Sequence, residues 1–284
     1  MIDMPEDITL LVVDGVMSWG FSVRAALTSA GSQSYPLPPP TTLVGALAAA
    51  YARLNYLPEV VATGGDIYSR VREFVGMIPW ATIKFRRYII SYSDLGRLAR
   101  AHYLRGEYRG FEHIDKWFGV SSFGKVYAPY TPFRIVYVVG GRTGSVDLKE
   151  LLKASLSIIS IGSKEGLVHV RDARVVKGRV ILNKNKVVKT PYYTLRGLVK
   201  DFDVSRASIV KMPPYPPPLS YYRIREVSTI SKAHVDYIVP YMEGPILRPE
   251  PIEIWRLSDD ASIIEFGIDG TKEYIVTPKP RPSM

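Results

Sequence analysis

The stretch Ser34-Tyr35-Pro36-Leu37-Pro38-Pro39-Pro40-Thr41-Thr42-Leu43-Val44-Gly45-Ala46-Leu47 joins a proline-stiffened extended segment to a strong helix start. Proline holds φ at about −65° and biases the residue before it toward extended backbone, so the chain enters the helix along a fixed path. Thr41 or Thr42 is placed to cap with its hydroxyl, and Leu43 to Tyr51 is almost entirely helix former or apolar filler. The unpaired amides of such a first turn, with the positive end of the helix dipole, favour an anion such as phosphate. A capped core helix behind a rigid loop is the structural alternative for the same residues.

Working outward, Ile8 to Val16 reads as a buried strand before this helix, and Trp80 to Tyr92 as a second strand after it. Tyr127 to Val139 is a third strand, closed by the turn cluster Gly140-Gly141-Arg142-Thr143-Gly144. Asp147 to Ala154 is a short helix with Asp147 and Glu150 in its first turn, and Leu167 to Val176 is a fourth strand. Strand, helix, strand, strand, helix, strand is the ferredoxin-like order, which makes the expected class α+β. Residues 57–78 are expected to add a helix, and residues 93–126 a long basic insertion, helical or irregular, between the second and third strands. Insertions of that length in a compact domain serve function or motion.

After Lys177 the pattern changes to short β segments. Val180 to Leu182 and Lys186 to Val188 flank the turn Asn183-Lys184-Asn185, and Ile263 to Phe266 and Tyr274 to Val276 flank Asp269-Gly270, a hairpin signal. Met212-Pro213-Pro214-Tyr215-Pro216-Pro217-Pro218 reads as a stiff surface crossing. The expected organisation is a domain over residues 1–176, with 93–126 as its insertion, followed by a smaller β-rich module over 177–284.

At 284 residues and 46% hydrophobic, the chain has ample material for a large core. It contains no cysteine, which excludes disulfides, thiolate metal sites and thiol nucleophiles. The apolar run near Leu43 to Ala52 is too short to span a bilayer, and Met1 to Asp7 lacks the basic start of a signal peptide; a cytoplasmic, membrane-free setting is expected. The net charge of +10 is concentrated in the middle: eleven lysines and arginines face four acids over residues 81–142, and fourteen face four over residues 163–225. A field of that kind suits a polyanion, whose neutralised phosphates release condensed counterions.

In the first basic block, rings interleave with cations at Phe85-Arg86-Arg87-Tyr88, Tyr103-Leu104-Arg105, Tyr108-Arg109-Gly110-Phe111 and Lys116-Trp117-Phe118. Single-stranded nucleic acid is held by this pairing, with cations along the backbone and ring faces against unpaired bases. Arg105, Arg109 and Lys116 are therefore candidate RNA contacts. Trp80, Ile83 and Phe85 read more simply as the buried face of a strand.

Three motifs combine into a resemblance: Gly15-Val-Met-Ser-Trp-Gly-Phe-Ser-Val-Arg24, the Tyr35 to Leu47 segment, and Ile161-Gly162-Ser163-Lys164-Glu165. Together they resemble the CRISPR-associated Cas-five family of the RAMP superfamily, in its archaeal type I-A variant. The likeness is carried by about the first 50 residues and by 161–176. It implies a RAMP/RRM-like fold with a thumb-like insertion, and a non-enzymatic subunit of the hetero-oligomeric Cascade complex. That subunit holds the 5′ handle of CRISPR RNA and packs against the backbone subunit and the large subunit, with no cofactor. By position, the resemblance makes Arg24, Thr41, Thr42, Lys84, Arg86, Arg87, Ser163 and Lys164 candidates for handle contacts.

Some relatives of that family cleave the repeat RNA themselves, so a metal-independent endoribonuclease is the alternative. Metal-free cleavage needs a base for the 2′-hydroxyl and an acid or cation for the leaving oxygen. Of the histidines His102, His113, His169 and His234, His113 is the most suggestive, because Lys116 shares its face if that stretch is helical and Tyr108 is near. No residue spacing here indicates a metal site.

Overall fold

The apolar run Leu10-Leu11-Val12-Val13 forms the middle of strand β1 (Asp7–Met17), and all four side chains are buried. A strand buried on both faces needs a layer on each side. The computed structural model describes residues 7–24, 31–99, 112, 118–140, 146–163, 165–181, 186–223 and 234–279. In chain order it continues with helix α1 (Pro40–Leu54), helix α2 (Val71–Val75), β2 (Trp80–Phe85), β3 (Ile89–Ala99), β4 (Phe118–Tyr127), β5 (Pro132–Val139), helix α3 (Leu148–Leu156) and β6 (Val168–Ile181). Then follow β7 (Val188–Thr190), β8 (Val199–Phe202), β9 (Ala207–Met212), β10 (Val235–Pro240), β11 (Ile252–Leu257), β12 (Ala261–Ile268) and β13 (Thr271–Pro278). The fold is mostly β, with few helices.

The principal sheet has the order β13-β12-β6-β1-β5-β2, antiparallel throughout. One face carries α1 and α3, pinned where the buried Tyr137 hydroxyl donates to the Leu43 carbonyl at 2.9 Å. The other face is covered by the C-terminal half of the chain. Thr82 Oγ1 donates to the Tyr193 carbonyl at 3.0 Å, and Trp80 stacks on Tyr237 with centroids 6.4 Å apart. One core cluster therefore draws on both ends of the chain, from Leu10 to Ile275; a second gathers Val188, Phe202, Ile238, Ile254 and Ile263.

Strand register explains a row of charges on the covered face. Asp14, Arg134 and Lys84 stand opposite one another on β1, β5 and β2. The β12–β13 hairpin reaches over this row, so that Arg134, 1% exposed, bonds Asp14, Asp269 at 2.6 Å and Glu273 at 2.7 Å. Lys84 meets the same Glu273 oxygen at 2.5 Å, and the Tyr192 hydroxyl donates to the other oxygen at 2.5 Å. A buried arginine with three carboxylates is satisfied rather than stranded. The turn of this hairpin is the expected one: Asp269 and Gly270 have φ of 51° and 74°, and Ile268 pairs with Thr271.

Several sequence expectations are corrected. Residues 57–78 form a small hairpin, Val60–Thr63 with Asp66–Ser69, followed only then by the short α2. The expected second strand breaks at Arg86–Tyr88, separating β2 in the main sheet from β3 outside it. Residues 93–99 and 118–126 are strand rather than helical or irregular: β3 and β4 pair from Ile90↔Tyr127 to Ala99↔Phe118 as a long antiparallel ribbon, and Glu112 alone among the described residues of the insertion is 3-10 helical. The expected third strand accordingly starts at Pro132, because Tyr127 ends the ribbon. Ile181 pairs with Ile263 and Val188 with Ile254, so the segments flanking Asn183 join different strands. Met212, Pro213, Tyr215 and Pro217 are buried while Pro216 and Pro218 are exposed, and the Tyr237 hydroxyl donates to the Pro213 carbonyl at 2.9 Å; the proline run is a crossing with one face packed into the core.

Candidate nucleic-acid interface

The segments on either side of residues 25–30 lie along the outer edge of β4. Gly20–Phe21 pairs with Tyr127–Val126, and Gly31–Ser32 runs parallel to Ser122–Phe123. An isolated bridge then sets Arg24 opposite Ser34. Ser34 Oγ accepts from the Val23 amide at 3.0 Å, and Ser22 Oγ donates to the Gly124 carbonyl at 2.7 Å. Gly124 is the residue that admits this close approach: a Cβ there would overlap the Ser34 amide nitrogen.

A third segment reaches the same place. Gly162 has φ of 81°, and a Cβ on it would stand 2.8 Å from the Ser22 carbonyl oxygen, which accepts the Ser163 amide at 2.9 Å. Two of the sequence candidates, Arg24 and Ser163, are thus brought together at the base of the β3–β4 ribbon. Arg24 is exposed and makes no ion pair or side-chain hydrogen bond within the described residues, and Ser163 Oγ is buried without a hydrogen-bond partner. Beside them a groove of about 350 Å³ opens between the Gln33–Pro36 segment, the ribbon at Ser91–Ser93 and the turn Met242–Pro245. Lys125 on its wall is engaged: it lies 2.8 Å from Asp94 and 3.5 Å from Glu165, and the Asp94 hydrogen bond pushes its ammonium upward in pKa.

The threonines stand elsewhere. Neither caps α1: the N-cap is Pro39, with no side-chain cap bond, and Pro40 is the first helical residue. Pro39 and Pro40 have no N–H, and the amides of Thr42 and Leu43 already bond the Pro39 carbonyl at 2.9 and 3.1 Å. The anion-receiving first turn expected from the sequence is therefore largely spent on its own loop. Thr41 is buried; with Thr42, Ser69, Tyr221, Tyr222 and Arg223 it borders a second pocket of about 250 Å³.

Lys84 belongs to the charge row: burial lowers its pKa, and the Glu273 hydrogen bond opposes that. Arg86 is exposed and 3.8 Å from Asp14, and Arg87 is exposed beside it. Arg105, Arg109, Lys116 and Lys164 lie outside the described residues, as do His102 and His113. His234 Nε2 is 2.5 Å from the Tyr35 hydroxyl. Among the described residues no cluster of histidine and acidic side chains is arranged to hold a metal, and no helix is long and apolar enough to cross a membrane.

No protein-family model matches the chain. A Saccharolobus solfataricus protein named CRISPR-associated protein Cas5 2 is 34% identical over 184 residues, 64% of this chain and 66% of the relative. A second from that organism, named CRISPR system aCascade subunit Cas5 1, is 33% identical over 178 residues, 62% of this chain and 68% of its own length. The chain belongs to the Cas5 family. The fold agrees: a crystal structure of a CRISPR protein from Archaeoglobus fulgidus matches with a TM-score of 0.56 at 21% identity, covering 95% of this chain and all of that one.

In this Cas5 chain, part of the candidate interface escaped the sequence reading. Tyr92 and Tyr127 are 40% and 49% exposed on the ribbon, and Ser22 and Gly124 organise its base. The alternation Ile89-Ile90-Ser91-Tyr92 was one signal, since Ile89 is buried and Ile90 and Tyr92 are open. Nothing local marked Gly124, whose neighbour Ser34 is remote in sequence.

Proposed function

We propose that this Cas5 chain is a non-catalytic, RNA-binding subunit of a type I-A Cascade, holding the 5′ handle of CRISPR RNA and capping the backbone beside the large subunit. The observation that carries this reading is the convergence of Ser22–Arg24, Ser34 and Gly162–Ser163 on the base of the β3–β4 ribbon. Ser22–Arg24 and Gly162–Ser163 belong to two of the three motifs by which the sequence resembles the family and Ser34 directly precedes the third; among the described residues Arg24 has no ion-pair partner. The ribbon stands where the thumb is expected, between the strands called β2 and β5 here. The order β6-β1-β5-β2, with α1 and α3 on one face, supports a ferredoxin-like RAMP core, and residues 177–284 are its β-rich elaboration. A relative named as an aCascade subunit supports membership of a multi-subunit complex.

The test is to incubate the purified chain with repeat RNA, with and without the handle, in EDTA and across a salt series. Tight, uncut, handle-dependent binding that weakens steeply with salt is the expected result. Site-specific cleavage abolished by His113→Ala establishes the endoribonuclease instead. Equal, weak binding to both RNAs refutes the assignment.

A further inference from the structure

We infer that the outer edge of β3, from Ser93 to Arg97, takes an added β-strand from a neighbouring protein subunit. The inference rests on the multi-subunit reading above and adds to it a specific contact and its chemistry.

The two edges of the ribbon differ. That of β4 is covered by Gly20–Phe21 and by Gly31–Ser32. That of β3 is covered only at its base: Leu247 and Ile246 pair with Ile89 and Ile90, and the Ser91 amide donates to the Pro245 carbonyl at 2.9 Å. The covering segment turns at Gly244, whose φ is 56°, and leaves the edge there. Successive residues of a strand alternate in the direction of their backbone groups, so Ser93, Leu95 and Arg97 point N–H and C=O outward as Ser91 does. Among the described residues no strand pairs with them on that side, and no other backbone bond uses their amides. Folded proteins blunt such edges with proline, bulges or a covering segment. Ile90 to Ala99 contains no proline, and its pairing with β4 runs without a register shift, so the open edge is a regular template.

A row of alternating donors and acceptors selects another strand over a nucleic acid, whose phosphates accept but do not donate. In strand addition the main-chain bonds give affinity and alternate side chains give specificity. Leu95, 70% exposed, matches an apolar residue opposite it, and Asp94 matches a cation at the next position. Lys125 holds Asp94 at 2.8 Å from the β4 side, and a carboxylate keeps acceptor capacity for a second cation. A second copy of this chain does not supply one. Outward residues pair with outward residues, so an antiparallel copy of β3 centred on residue 94, 95 or 96 sets Asp94 opposite Asp94, Gly96 or Leu98.

The test follows amide exchange, residue by residue, in a tagged full chain alone, with handle RNA, and in the complex that it forms in its own host. The amides of Ser93, Leu95 and Arg97 are expected to exchange freely alone and with RNA, and to slow at least about tenfold in the complex, while those of Tyr92 and Asp94 stay slow throughout. Leu95→Pro removes an outward donor and no bond to β4, a place where a strand tolerates proline. It is expected to cut recovery of the complex at least about tenfold and to leave handle affinity within about twofold. Outward amides that exchange as fast in the complex as alone, slowing by RNA alone, or full recovery of the complex with Leu95→Pro overturns the strand addition and leaves membership of the complex standing. Slowing that grows with the concentration of the isolated chain assigns the edge to a second copy and overturns it too. Recovery of the chain from its host with no partner subunit overturns both readings.

Discussion

Arg134 and Asp14 form a two-pronged hydrogen bond across neighbouring strands, with Nε to Oδ1 and Nη2 to Oδ2 both at 2.8 Å. The same guanidinium also holds Asp269 and Glu273, so one buried side chain ties the centre of the sheet to the C-terminal hairpin. Arg134→Ala leaves three carboxylates around a void and is expected to cost about 3–5 kcal/mol, as for other broken buried pairs. Arg134→Lys is expected to recover only part of this, because an ammonium lacks the planar fork. Urea unfolding midpoints measure both.

Acid is expected to weaken the same junction. Burial pushes the Glu273 carboxyl up, but hydrogen bonds from Lys84 and Tyr192 outweigh it and leave the group below the usual glutamate range. Asp269 is likewise held low, by Arg134 and Arg174. A depressed carboxylate contributes stability that is complete above its unfolded value, about 4.3 for glutamate, and is lost as pH falls through the folded value. Glu273→Gln is therefore expected to lower stability near neutrality and to flatten the acid limb of a stability-against-pH curve. An unchanged acid limb would remove Glu273 as its source.

Thr42→Ala is expected to change stability by less than about 0.5 kcal/mol, against the roughly 1 kcal/mol lost with a working threonine cap. The reason is that Pro39 occupies the cap position and no threonine hydroxyl bonds a first-turn amide there. Thermal denaturation distinguishes the two magnitudes.

Gly124→Ala is expected to lower stability by about 1–3 kcal/mol, the cost of overpacking, because the added methyl meets backbone rather than a yielding side chain. By lifting Gln33–Ser34 it is also expected to weaken RNA binding more than its loss of stability explains. Melting and binding measured on one preparation separate these effects.

Arg24→Ala is expected to lower RNA affinity evenly across sequences and to reduce the slope of log affinity against log salt by about 1. Arg24 is exposed and has no ion-pair partner among the described residues, so the melting temperature is expected to stay near that of the unmodified chain. An unchanged salt slope removes it from the interface.

Much of the scaffold was legible because its signals are local. Leu10 to Val13 announces a strand buried on both faces, Leu43 to Leu47 a packed helix, and Asp269-Gly270 a tight turn. The ribbon was not, because Asp94, Gly96 and Arg97 interrupt the apolar alternation that marks a strand packed on a core. The threonines were misjudged as caps because two prolines start the helix earlier. Lys84 reads as a free cation until Glu273, 189 residues away, is seen beside it. Arg24 and Ser163 could be named from motifs, but the groove they flank depends on the remote meeting of Gln33, Ser91 and Pro245.

The bond from Arg134 to Glu273 spans 139 residues and bears on biosynthesis. A ribosome making this protein exposes Arg134 long before that glutamate has emerged, so the central strands first hold the arginine through Asp14 alone. A nascent chain halted short of residue 269 consequently lacks the hairpin that covers this row and displays an open sheet to chaperones and proteases.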